Sequence, residues 1–226
     1  MNPLPEVAPI ERIQENLLAR AERRVLNRLC AAMPAWVTPD KLTTLGMLGA
    51  GLIFAGYVAS NDHPAWLWLC ILGFVIHWFG DSLDGSLARF RKIERPRYGY
   101  FLDHSCDGLA TAMIVSGIGL SPYVSMEAAL MGLAGYLLLS IHAFLSVRVL
   151  GELPLTYLNL GPTEVRVILV LLTLAFLIFG VPAPIWNGAT SFDLVAWGAG
   201  FLMIALFVVQ TAAKARLLAR QEPPRG

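Results

Sequence analysis

The 226-residue chain is 56% hydrophobic and only 15% charged, against about 25% charged in an ordinary soluble domain. That composition excludes a disordered chain, a basic nucleic-acid-binding protein and a soluble globular domain. It points to a membrane protein. The sum of 17 basic and 16 acidic residues says little; their placement says more.

The first residues are polar and charged, which predicts no secretory signal peptide. Ile10, Ile13, Leu17, Leu18, Ala21, Val25, Leu26 and Leu29 then recur at helical spacing. The face between them carries Glu11, Arg12, Glu15, Arg20, Glu22, Arg23 and Arg24. This predicts an amphipathic helix over 10–33, lying on the cytoplasmic membrane surface. A helix packed on a partner protein is the alternative.

Six stretches free of Asp, Glu, Lys and Arg follow: 42–61, 63–80, 108–126, 128–147, 167–192 and 194–213. Each approaches the length needed to cross a hydrocarbon core of about 30 Å at about 1.5 Å per residue. Gly180-Val181-Pro182-Ala183-Pro184 breaks the fifth, so that span closes near Phe179. The expected fold is all-α and polytopic. A single domain holds six transmembrane helices over 38–216 and a flexible tail over 217–226.

All 17 basic residues precede span one, follow span six, or lie between spans two and three or four and five. The other three connections carry only Asp62, Glu127 and Asp193. By the positive-inside rule both termini and the two basic loops are cytoplasmic. Trp36, Trp66, Trp68, Trp78, Trp186 and Trp197 fall mostly near span ends and read as interfacial anchors. Cys30, Cys70 and Cys106 lie far apart and read as small buried hydrophobes.

Ionisable groups inside membrane helices are costly and are functional candidates by default. Here they gather in one segment, Gly80-Asp81-Ser82-Leu83-Asp84-Gly85-Ser86-Leu87-Ala88-Arg89, and again in Gly99-Tyr100-Phe101-Leu102-Asp103-His104-Ser105-Cys106-Asp107. Asp81 and Asp84 share a face at i,i+3, and Asp103 and Asp107 share one at i,i+4. The short basic connection over 90–98 makes the two helices antiparallel neighbours. Four carboxylates then converge near the cytoplasmic boundary. Unscreened, they repel. Oxygen-only ligands suit hard divalent ions, and two Mg²⁺ or Mn²⁺ ions balance four carboxylates. Arg89 can add bidentate phosphate contacts. Small residues at Gly85, Ala88 and Gly99 allow close backbone approach. These residues alone indicate metal-assisted chemistry on a phosphate or diphosphate, reached from the cytoplasm.

The pattern Asp81-x-x-Asp84-Gly85-x-x-Ala88-Arg89, then Gly99-x-x-x-Asp103-x-x-x-Asp107, resembles the signature of the CDP-alcohol phosphotransferase family. The gap between Arg89 and Gly99 is one residue longer than the usual family spacing. The resemblance implies transfer of a phosphatidyl or phospho-alcohol group from a CDP-linked donor to an acceptor hydroxyl, with release of CMP. It implies that Asp81, Asp84, Asp103 and Asp107 hold two metal ions and that Asp107 is a candidate base. Gly85, Ala88, Arg89 and Gly99 would line the CDP site. Thr38-Pro39-Asp40-x-x-Thr43 resembles the family's Pro-Asn-x-x-Thr segment near the nucleotide, with Asp40 in place of Asn. A plain helix cap explains Asp40 equally well. The resemblance also implies a homodimer among membrane lipids, with no nucleic-acid partner, in a bacterial inner membrane in preference to the endoplasmic reticulum.

Phe101-Leu102-Asp103-His104-x-Cys106-Asp107 resembles a segment of choline/ethanolamine phosphotransferases, as does Gly161-Pro162-Thr163-Glu164. That branch implies His104 and Glu164 as partners in deprotonating a diacylglycerol hydroxyl. Glu164 in a helix first turn after Pro162 is also ordinary helix-start chemistry. Arg148 and Arg166 can instead bind a phosphate on a small acceptor, which fits a CDP-diacylglycerol-dependent enzyme acting on glycerol phosphate or inositol phosphate; serine is a further acceptor for that class. They are equally explained as positive-inside residues. His142 in span four either faces the same cavity or is a core histidine.

Two rivals come from other classes. A transporter would place its acids at the midplane between repeated halves, and no repeat is present. An intramembrane prenyltransferase would need more spans and a second, distant aspartate motif.

Overall fold

A computed structural model describes residues 11–13, 19–150, 152–154 and 161–222. Seven α-helices carry these residues: α1 (Ala19–Ala32), α2 (Pro39–Ala59), α3 (Leu67–Phe90), α4 (Pro96–Leu120), α5 (Met126–Leu150), α6 (Pro162–Phe179) and α7 (Ser191–Gln221). The protein is an all-α polytopic membrane protein. The exceptions among the described residues are one minimal parallel pairing, Glu11–Ile13 with Glu152–Pro154, and a single antiparallel bridge between Trp186 and Ala189.

The helix starts follow local chemistry. Thr38 caps α2, its Oγ accepting the Lys41 N–H at 3.3 Å with Pro39 in the first turn. The cap is therefore Thr38 and not Asp40, which forms an ion pair with Arg95. Pro96 opens α4 and Pro162 opens α6. Thr190 and Asp193 form a reciprocal capping box on α7, and the other Asp193 oxygen accepts the Ser125 N–H at 2.6 Å.

Five helices are long and apolar enough to cross a membrane: α2, α3, α5, α6 and α7. The sixth expected span is α4. It has 25 residues and packs against α2 and α5. It falls short in apolarity because it carries Asp103 and Asp107 among small and polar residues. α6 ends at Phe179, where Gly180 takes φ 67°. That is the break expected from the Gly-Val-Pro-Ala-Pro segment.

The amphipathic helix differs from expectation. Residues 11–13 are extended and pair with 152–154, Ala19–Ala32 are helical, and 10 and 14–18 of the expected helix lie outside the described residues. Tertiary ladder partners override the helical periodicity there. The apolar face of α1 is also already occupied. Leu26 and Cys30 pack with Val37, Leu42, Leu83 and Leu87, against the bundle's own α2 and α3. Burial pushes the Cys30 thiol up, consistent with a small hydrophobe. Arg91 locks the turn after α1 by donating to the carbonyls of Val37, Met33 and Pro34 at 2.6, 3.0 and 2.8 Å.

A second apolar cluster holds the far end of the bundle. Phe176 stacks on Tyr123 with centroids 4.6 Å apart, and the Tyr57 hydroxyl meets Thr173 at 2.6 Å. Trp36, Trp66, Trp68, Trp186 and Trp197 are exposed, as anchors would be. Trp78 is not; its indole N–H donates to Glu22 at 2.9 Å.

The α2–α3 contact is backbone against backbone. A Cβ on Gly49 would lie 2.5 Å from the His77 nitrogen, and one on Gly80 would lie 2.3 Å from the Gly46 nitrogen. Small residues let membrane helices approach this closely. Because the obstacle is main chain, neither helix can yield by rotating a side chain. Gly80→Val is expected to destabilise the protein by about 3 kcal/mol or more, beyond ordinary overpacking. Loss of the monodisperse peak in size-exclusion chromatography of the purified protein checks this.

Candidate active site

Three helices build one cleft. α2 supplies Thr43, Gly46 and Met47; α3 supplies His77, Asp81 and Asp84; α4 supplies Asp103, Cys106, Asp107 and Ala110. All four aspartates singled out by spacing line it. His77, Asp81 and Asp84 repeat at i, i+4 and i+7, one face of α3. The glycine seam at Gly46 and Gly80 brings Thr43 down onto that face.

Each carboxylate has its own restraint. Asp84 is buried, and the Thr43 hydroxyl donates to its Oδ2 at 2.6 Å. The Gly85 N–H donates to its Oδ1 at 2.5 Å. Asp81 is paired with Arg166 at 2.5 Å, a cation reaching over from α6. His104 sits between the other two, with Nδ1 3.6 Å from Asp103 Oδ2 and 3.8 Å from Asp107 Oδ2. The Asp103, His104 and Asp107 ligand atoms lie within 4.8 Å of one another. That group can hold a metal ion, and its oxygen-rich donors suit a hard one. The His104 ring packs edge-on to Tyr100 at 4.3 Å and against Phe144 at 5.0 Å, while its Nε2 is buried without a hydrogen-bond partner.

The remaining candidates divide. Arg166 joins the cleft, but through Asp81. Its Nη1 is buried without a hydrogen-bond partner. Arg148 lines a separate open, mostly apolar groove of about 400 Å³ with Tyr100, Phe101, His104, Ser105, Phe144 and Val147. His104 is thus the wall between groove and carboxylates. Glu164 is buried, and its carboxylate accepts the Gly161 N–H at 3.0 Å, so it caps α6 and does not line the cleft. Of the residues expected around a nucleotide, Thr43 lines the cleft. Pro39, Gly85, Ala88, Arg89 and Gly99 lie on the ends of the same three helices. Arg89 lies against Gly85, its Nη1 3.3 Å from where a Cβ would stand, and donates to Ser86 Oγ at 3.3 Å. Nothing stands within 4 Å of a Cβ at Gly99, so that face is open to a ligand. His142 is a core residue beside Thr211, away from the cleft lining.

Sequence reasoning missed His77, whose Nδ1 is buried in the cleft wall without a partner. Its i−4 spacing from Asp81 was the available signal. It also missed Gly46 and Gly49, which look like ordinary span residues until α3 lies against them.

Residues 36–213 match the CDP-alcohol phosphatidyltransferase family. The chain belongs to that family. Among proteins similar to it, cholinephosphotransferase 1 of Danio rerio is 29% identical over 122 residues, which is 48% of this chain and 32% of that protein. An uncharacterized class-I family protein 2 of Dictyostelium discoideum is 28% identical over 172 residues, 70% of this chain and 39% of the relative. Phosphatidylinositol phosphate synthase of Cutibacterium acnes is 37% identical over 100 residues, 43% of this chain and 45% of the relative. In each case the match spans less than half of the relative's own length.

Among the described residues, the Asp81–Arg166 pair is the one ion pair between the carboxylate motif and α6. Removing one partner of a largely buried pair leaves an uncompensated charge and costs about 3–5 kcal/mol. Arg166→Ala is therefore expected to lower thermal stability in chelator-treated protein, while Asp81→Asn with Arg166→Gln together cost less than the two changes summed. A double-mutant thermal-unfolding cycle measures that coupling.

Proposed function

We propose that this protein transfers a phosphatidyl or phospho-alcohol group from a CDP-linked donor to an acceptor hydroxyl, releasing CMP. The carrying observation is the convergence of Asp81, Asp84, Asp103 and Asp107 from α3 and α4 on one cleft, with His104 between the last two. A transporter does not need that arrangement at one end of the helices.

Asp81, Asp84, Asp103 and Asp107 would hold two Mg²⁺ or Mn²⁺ ions. Such ions, when bound, neutralise the diphosphate and make CMP a better leaving group. The protein's own residues do the rest. Thr43 fixes the Asp84 carboxylate in orientation by its hydrogen bond. Arg89, which lies against Gly85, and the open backbone at Gly99 receive the nucleotide phosphates. His104 or Asp107 takes the proton of the acceptor hydroxyl as it attacks in line. His104 is the better placed for a lipid acceptor, because its ring faces the apolar groove on one side and two carboxylates on the other. An aspartate that ligates a cation is the weaker base.

This placement favours CDP-choline or CDP-ethanolamine as donor and diacylglycerol as acceptor. Arg148 in the same groove favours a second reading, CDP-diacylglycerol with a small alcohol or alcohol phosphate. α4 would be the sixth span, which puts both termini and the cleft on the cytoplasmic side of a bacterial inner membrane. The family resemblance extends the reading to a homodimer.

The test is CMP release by the purified protein with Mg²⁺ or Mn²⁺, across CDP-choline, CDP-ethanolamine and CDP-diacylglycerol with matching acceptors. No CMP from any pair would sink the proposal. Asp103→Asn is expected to lower turnover about a thousandfold, since a bound cation supplies several kcal/mol and each ~1.4 kcal/mol is tenfold. Arg148→Ala is expected to raise the acceptor KM about tenfold if the acceptor carries a phosphate, and to leave KM for a diglyceride within twofold. Steady-state kinetics on the two acceptor classes decide between them.

A further inference from the structure

Glu22 makes contacts that an exposed surface helix does not need. It stands in the first turn of α1. Its carboxylate accepts the Trp78 indole N–H at 2.9 Å, the Ser82 hydroxyl at 3.3 Å and the Thr163 hydroxyl at 2.8 Å, with the second oxygen 2.9 Å from Thr163. Trp78 and Ser82 are one turn apart on α3, and Ser82 is the residue after Asp81. Thr163 opens α6, three residues before Arg166 and so on the same face. Two cross-helix links between α3 and α6 therefore stack about one turn apart. One is the direct Asp81–Arg166 pair, and the other runs through Glu22.

Docking of α1 does not require this carboxylate. Leu26 and Cys30 already bury the helix against Leu83 and Leu87. Partly burying an anion among neutral donors is costly, and is seen where the donors are held for a purpose. Each of the three donors can point only one way if it is to reach Glu22. The carboxylate thereby ties α3 to α6.

We propose that Glu22 is a positioning residue: the cytoplasmic helix α1 holds α3 and α6 in the register at which Asp81 faces the cleft and Arg166 reaches it. The inference rests on the reading of Asp81 as a metal ligand.

Mn²⁺ binding to the full-length protein in lipid nanodiscs, followed by loss of the free-ion electron paramagnetic resonance signal, tests it without turnover. Glu22→Ala and Thr163→Val are expected to weaken Mn²⁺ about tenfold, the lower end for an outer-shell partner. Glu22→Gln keeps one acceptor oxygen and is expected to lose less, with kcat falling in the same order and the donor KM within twofold. Arg28→Gln, on the exposed side of α1, is the control and is expected to match the wild type. If Glu22→Ala does not fold, Glu22→Gln and Thr163→Val decide by the same criterion. Folded variants that bind Mn²⁺ as the wild type does overturn the positioning role alone. A wild-type protein with no saturable Mn²⁺ binding overturns the metal reading and this inference with it.

Discussion

Negative charges brought together at one end of a helix bundle repel, and where one is buried, as Asp84 is, water screens it poorly. Asp81, Asp84, Asp103 and Asp107 line one cleft between α2, α3 and α4. Each needs a donor or a cation of its own. Asp84 has Thr43 and the Gly85 amide, Asp81 has Arg166, and Asp103 and Asp107 share His104. The surroundings of the cleft follow from that requirement. They also leave it acidic, with more carboxylates than cations, which suits hard divalent ions.

The restraints are spread over four helices, so the bundle must be held tightly for them to meet. Gly46, Gly49 and Gly80 do this by letting α2 and α3 touch along their backbones. A side chain at any of these positions would push Thr43 away from Asp84. The apolar cluster of Tyr57, Phe74, Tyr123 and Phe176 grips the opposite end of the bundle and leaves the site end to polar contacts. α1 closes that site end from outside, with Leu26 and Cys30 supplying burial and Glu22 supplying direction.

Two residues from α6 serve the helix or the carboxylate cluster they lie against. Arg166 pairs with Asp81, where its sequence context offered either an acceptor phosphate or a positive-inside charge. Glu164 completes the start of α6, one of the two readings its sequence context offered. His104 lies between Asp103 and Asp107 on one side and an apolar groove on the other.

From its sequence alone the chain declares itself a helical membrane protein of the CDP-alcohol type. Apolar stretches have a length fixed by the bilayer, and the aspartates sit at i,i+3 and i,i+4. Those signals are local, and local spacing survives into the folded helix unchanged. The contacts between distant segments could not be read that way. Thr43 with Asp84, Arg166 with Asp81, Glu22 with Trp78 and Thr163, and Gly49 against His77 each join residues on different helices. They depend on how helices rotate and cross, which is settled by packing between surfaces that no single segment encodes. The cleft's ingredients were legible in order along the chain. Which of them touch was decided only when the helices met.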